Sequence, residues 1–126
     1  MILKRLKVVP DYDALTPGES HYVLTTFDIY AGEVVVNGQP VRWNELTEVE
    51  VVKAARYGGL SGWLVRHLVH GEDRYHVGLY AGEEEYILTN VTLNTARYVV
   101  QSVAYYAPQP VRYTGIDGLS PLIETG

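Results

Sequence analysis

The chain has 126 residues, 47% of them hydrophobic and 20% charged, which is the size and make-up of one ordered domain with its own core. Its formal net charge of -5 argues against a broad nucleic-acid footprint or an anionic-membrane footprint, since both draw their affinity from clustered Lys and Arg. Cysteine is absent, which excludes disulfides, thiolate metal sites and cysteine nucleophiles.

Residues 1–20 read as a lead-in. An apolar opening, Met1 to Val9, is too short and too charged for a signal peptide, and Pro10-Asp11-Tyr12-Asp13 and Thr16-Pro17-Gly18-Glu19 are turn chemistry with room for one edge strand at most. No apolar run approaches the roughly 20 residues of a membrane span, so a cytoplasmic protein is expected. From His21 the residues alternate, with Val23, Thr25, Phe27 and Ile29 on one face and Tyr22, Leu24, Thr26 and Asp28 on the other, which predicts a strand over 22–30.

Glu33 to Val36 followed by Asn37-Gly38 predicts a tight hairpin, because Asn-Gly readily takes the positive φ angles of a two-residue turn. Pro40 has no N–H to donate and belongs on an edge strand, here one ending near Trp43. Residues 44–56 carry two patterns. Leu46, Val49 and Val52 with Asn44 as cap and Gly58-Gly59 as stop describe a helix, while the alternation of Glu48, Val49, Glu50 and Val51 describes a strand, and the strand is the reading preferred.

Beyond a glycine-rich turn at 58–62, two strands are expected to face each other across Gly71-Glu72-Asp73. A register pairing His70 with Arg74 sets Trp63, Val65, Val69, Tyr75, Val77 and Leu79 on one core face. A third strand over about 85–91 follows the turn at Ala81-Gly82-Glu83. Thr92 or Asn94 then caps a helix whose Leu93, Ala96, Val100, Val103, Ala104 and Ala107 share a face, and Pro108 ends it. Residues 108–126 read as a Pro- and Gly-rich extended tail that either lies along the domain or links to a partner.

Strand, Asn-Gly hairpin, the Trp43-Asn44-Glu45-Leu46-Thr47-Glu48-Val49 stretch, a three-stranded meander and a closing helix together resemble the bacterial pleckstrin-homology-like domains over about residues 20–107. The resemblance implies an α+β fold, mainly antiparallel: a bent sheet or split barrel of about seven strands plugged by the helix, in a domain spanning 21–107. It also implies a binding or scaffolding role. The lipid-binding members carry a basic run at the first hairpin. Here Arg42 is that region's only cation, which argues against phosphoinositide head groups.

The search for chemistry finds no nucleophile elbow, phosphate loop, dinucleotide fingerprint or zinc-protease motif. His67 and His70 have metal-like spacing, but on a strand they point to opposite faces. Glu83-Glu84-Glu85 splays its carboxylates and lacks further ligands, so neither a metal nor a cofactor is expected. The outer sheet face gathers Arg66, His70, Arg74 and His76, a candidate patch for an acidic partner whose binding strengthens below about pH 6.5 as the histidines protonate. Leu64, Leu68 and Tyr80 on the same face suggest a cover, either the tail or a second copy in a homodimer. Tyr98, Gln101 and Tyr105 line a helix flank away from the Leu93 stripe, with Tyr106 beside them, as a second candidate docking surface. Tyrosine outnumbers phenylalanine 11 to 1, a bias that suits half-buried faces and interfaces. The sequence therefore predicts a non-catalytic protein-binding or assembly module. The alternative is a small enzyme or ligand carrier with a pocket lined by Trp63, His67 and Tyr75, or one using dispersed groups such as His21 and Asp28.

Overall fold

The structure, a computed structural model, describes residues 4–7, 9–53, 74–115 and 122–125. The chain starts with strand β1 (Lys4–Lys7), continues through a 3-10 turn at Tyr12–Ala14, and enters helix α1 (Pro17–Thr26). Strands β2 (Phe27–Ile29), β3 (Glu33–Val36) and β4 (Gln39–Arg42) form one antiparallel sheet in that order. A second 3-10 turn at Trp43–Glu45 leads to β5 (Glu48–Lys53). Beyond the segment 54–73 come β6 (Tyr75–Ala81), β7 (Glu84–Val91), helix α2 (Leu93–Tyr106), β8 (Arg112–Thr114) and β9 (Leu122–Thr125). The second sheet runs β7-β6-β5-β8, and β1 pairs with β9 in a separate antiparallel ladder. The fold is α+β and mostly antiparallel, β5 and β8 being parallel neighbours, and among the described residues the sheets end in edges without closing on themselves.

The strand expected over 22–30 is a helix as far as Thr26. Thr16 accepts a hydrogen bond from the Glu19 backbone N–H at 3.2 Å, and the Glu19 carboxylate accepts one from the Thr16 N–H at 2.9 Å. With Pro17 in the first turn, this reciprocal box starts a helix at what reads as a breaker. The buried residues of this stretch, Val23 and Phe27, are four apart, a spacing that serves a helix as well as alternation does. Only Phe27–Ile29 remain strand.

The Asn-Gly hairpin is present, with φ of 50° at Asn37 and 83° at Gly38 and Val36 opposite Gln39. Pro40 sits on β4, an edge strand of its sheet among the described residues. Residues 48–53 are strand, the preferred of the two patterns. Val49 and Val51 point into the core, and β5 is paired on one side with β6 and on the other with β8. Val77 and Leu79 are buried as expected and Tyr75 half-buried against the core, whereas Trp63, Val65 and Val69 lie outside the described residues.

α2 starts at its Thr92 cap, whose hydroxyl accepts from the Thr95 N–H at 3.1 Å, and stops at Ala107 before Pro108. Ala96, Val100, Val103 and Ala107 are buried as the spacing predicts, and Val99 joins them. Leu93 does not. It is 40% exposed, because the first turn of α2 ends in a polar cluster around Glu19 and Asn94 instead of in the core. One core joins Val34, Val36, Val41 and Trp43 of the first sheet's side to Val49, Val77, Leu79 and Leu88 of the second and to α2.

From Pro108 to Gly115 the chain lies along the domain. The Gln109 side-chain amide donates to the carbonyls of Trp43 and Leu46, both at 2.8 Å, and β8 then adds to β5. The edge that β7 forms among the described residues is occupied by side chains: Asn37 donates to the Ile87 carbonyl at 3.0 Å and Tyr22 to that of Thr89 at 3.2 Å. Such capping of backbone acceptors blocks further strand addition there.

Candidate functional site

The flank of α2 named from its spacing carries a more developed surface than the spacing implies. Tyr98 was expected to point away from the core, yet it is only 8% exposed. The buried arc of α2 is wider than the aliphatic stripe and includes Thr95, Tyr98 and Ser102. The turn at Tyr12–Ala14 packs on this side, with Asn94 donating to the Ala14 carbonyl at 2.9 Å and Tyr12 standing edge-on to Tyr98, ring centroids 6.1 Å apart. Tyr105, 41% exposed, meets Tyr106 edge-on at 5.0 Å, and Tyr106 stacks on Trp43 at 5.0 Å and 18°. Gln101 is half-buried on the same helix.

The third wall comes from β2. The Tyr30 hydroxyl donates to the Asp28 carboxylate at 2.9 Å, and the Trp43 indole N–H donates to the Tyr30 carbonyl at 2.9 Å, tying the strand end to the ring that Tyr106 covers. Burial first, then the charges of Tyr106, Tyr12 and Asp28, raise the Tyr98 phenol above its ordinary value. Tyr30 is raised as well, by its hydrogen bond to Asp28 and by the charges of Asp28 and Glu33. These phenols stay protonated and remain donors at neutral pH. Asp11 and Asp13 lie exposed on either side of Tyr12. The result is a half-exposed aromatic surface with acidic edges. Asp28 was named from the sequence only as a dispersed catalytic group, and Tyr12 and Tyr30 escaped the sequence search because they lie far from α2 along the chain. The signal that pointed to them was the excess of tyrosine over phenylalanine.

The outer sheet patch is described only in part. Arg66 and His70 lie outside the described residues, as do Leu64 and Leu68. Arg74 is exposed, and the His76 ring accepts a hydrogen bond at Nδ1 from the Asn90 backbone N–H at 3.2 Å. That bond follows from a bulge: the pairing skips between Tyr75 and Val77, and Asn90 takes a φ of 57°. Further along the same face Tyr80 lies flat over Gly78, where an added Cβ would come within 3.2 Å of its ring, and reaches the Glu50 carboxylate at 3.2 Å. Burial and then the charges of Glu50, Glu85 and Glu48 raise the Tyr80 phenol. This part of the face is acidic.

Arg74 lines a polar cleft of about 230 Å³ together with Glu19, Tyr22, Asn90, Thr92 and Thr95, where the starts of α1 and α2 meet. Glu19 accepts from Asn94 at 3.0 Å and from the Thr92 hydroxyl in addition to closing its own capping box. Burial works to raise its carboxyl, but these donors together outweigh it and hold it below the ordinary carboxylate value. A second cleft, about 500 Å³, opens beside β8 between Thr47, Glu48 and Pro110 to Arg112. Among the described residues no three His, Asp or Glu side chains gather as a metal site, and no helix is long and apolar enough to cross a membrane. Trp63 and His67 of the alternative pocket lie outside the described residues.

Compared with protein-family models, with curated proteins and with solved structures, the chain matches none.

Proposed function

We propose that this chain is a non-catalytic protein-binding module, pleckstrin-homology-like in build, which docks its partner on the tyrosine flank of α2. The observation that carries the reading is the set of ring contacts along α2, Tyr12 on Tyr98 and Tyr105 on Tyr106, with the hydrogen-bonded pair Tyr30 and Asp28 tied to them through Trp43. Tyrosines bring large contact area with few rotatable bonds and a polar tip that tolerates water, which is why they concentrate in binding surfaces. The flank is also well supported from behind, since Trp43 is buried and stacked under Tyr106 and hydrogen-bonded to the Tyr30 carbonyl. The build is supported by two sheets followed by a helix that joins their common core. α1 and β8 are additions to that plan.

The reading is tested with synthetic peptides of acidic, neutral and basic sequence titrated into the isotope-labelled chain. At least one is expected to shift the amides of Tyr12, Tyr30 and Tyr98 to Tyr106 saturably. The double substitution Tyr12→Ala and Tyr105→Ala, at exposed positions, is expected to abolish that binding while moving the melting temperature by only about 3 °C. Peptides that leave the flank amides in place, or that bind the double variant as well as the parent, overturn the reading.

A further inference from the structure

We infer that the tyrosine flank receives a cation, and specifically that an arginine side chain of a partner protein inserts beside Asp28 against the exposed tyrosine rings of the flank; this rests on the flank being the docking surface. The argument is one of charge and shape. Tyr12 and Tyr98 meet at 64°, so they present a ring face and a ring edge at a corner instead of a closed stack. A positive group is attracted to such a face by the ring quadrupole. The charge of Asp28 is felt at the Tyr98 hydroxyl of that corner; its carboxylate takes one hydrogen bond, from Tyr30, and a carboxylate accepts several. Asp11 and Asp13 beside Tyr12, and Glu33 beside Tyr30, add further negative charge at the rim.

Arginine fits this arrangement better than lysine. Its planar guanidinium stacks on a tyrosine ring while its N–H fork reaches a carboxylate side-on, whereas an ammonium acts as a strongly hydrated point charge. An acidic segment meets the like charges of Asp11, Asp13, Asp28 and Glu33, with Arg97 the one cation of α2, and a neutral segment leaves Asp28 without a cation. The chain's net charge of -5 favours encounter with a basic segment in the same sense.

The test uses the full chain and alternating Gly-Arg, Gly-Lys, Gly-Glu and Gly-Ser peptides of equal length with blocked ends. The readouts are the Trp43 indole N–H resonance, which reports on Tyr30, and the Tyr12 and Tyr98 amides. The Gly-Arg peptide is expected to bind most tightly, Gly-Lys more weakly and Gly-Glu not at all, with affinity falling as salt is raised. Asp28→Asn is expected to weaken the Gly-Arg peptide about tenfold. Tyr12→Leu, which keeps the apolar contact, is expected to weaken it by less, with the preference for Arg over Lys reduced. Equal binding of the neutral or acidic peptide at the flank, or an unchanged affinity in Asp28→Asn, overturns the inference while leaving the docking surface in place. Failure of every peptide to move the flank overturns the docking surface itself.

Discussion

Glu19 accepts hydrogen bonds from Thr16, Thr92 and Asn94, so a single carboxylate closes the first turn of α1 and braces the start of α2. Because those donors hold its carboxyl below the ordinary value of 4.5, folding prefers the ionised form. The stabilisation it provides is fully present above pH 4.5 and is lost as the pH falls through the lowered value of the folded state. Urea midpoints measured from neutral pH down to about pH 3 are expected to fall for the parent chain, and to fall less steeply for Glu19→Gln, which starts from a lower midpoint. A variant with the same acid dependence as the parent would show that Glu19 is not the group responsible. Thr92→Ala removes the cap that receives the Thr95 N–H and is expected to cost about 1 kcal/mol at neutral pH.

Among the elements, the parallel edge formed by β8 depends on one glycine. Gly115 has a φ of 71°, and a Cβ built there would collide with the Val51 carbonyl oxygen of β5, so only glycine lets the backbone approach β5 this closely. Gly115→Ala is expected to destabilise the fold by about 2 kcal/mol or more, and to raise amide exchange first at Arg112 to Thr114 and their β5 partners. Unchanged exchange at those amides would mean that the edge is held by other contacts, such as the Gln109 bridge to Trp43 and Leu46. The elements that could be read from the sequence were those whose signal is local. Asn37-Gly38 dictates its own backbone angles, Glu48 to Val51 alternate in step with their burial, and the α2 stripe continues through Val103 to Pro108. α1 was hidden because Val23, Thr25 and Phe27 satisfy a strand pattern as well as a helix, and because Thr16-Pro17-Gly18-Glu19 spells both a turn and a capping box. β8 was hidden because a three-residue edge strand has too little pattern of its own; its place is set by the Thr47 carbonyl, which accepts from the Arg112 N–H at 3.0 Å. The candidate site was half legible for the same reason: Tyr98, Gln101 and Tyr105 lie on one helix, while Tyr12, Asp28 and Tyr30 reach it only through tertiary packing.

At the scale of the molecule, the two larger sheets do not have separate interiors. Phe27, Val34, Val36 and Val41 belong to the same buried cluster as Val49, Val77, Leu79 and Leu88, and α2 contributes Val99, Val100 and Val103 to it. Trp43 links the halves a second time, edge-on to Phe27 at 6.2 Å and stacked on Tyr106 of α2. A shared core makes local opening of one sheet expose the other, so the sheets should open as one cooperative unit. Native-state amide exchange is expected to give β3 and β6 the same opening free energy. Val103→Ala, which deletes buried methyl groups in α2, should lower both by the same amount, about 2 kcal/mol. If β3 opened at much lower free energy than β6, or if Val103→Ala weakened only one of them, the sheets would be separate units. The tyrosine flank would then straddle a movable boundary, because Asp28 and Tyr30 come from the first sheet's side and Tyr98 and Tyr106 from α2. Cooperative opening keeps those groups at fixed spacing, which is what recognition of a single inserted side chain requires.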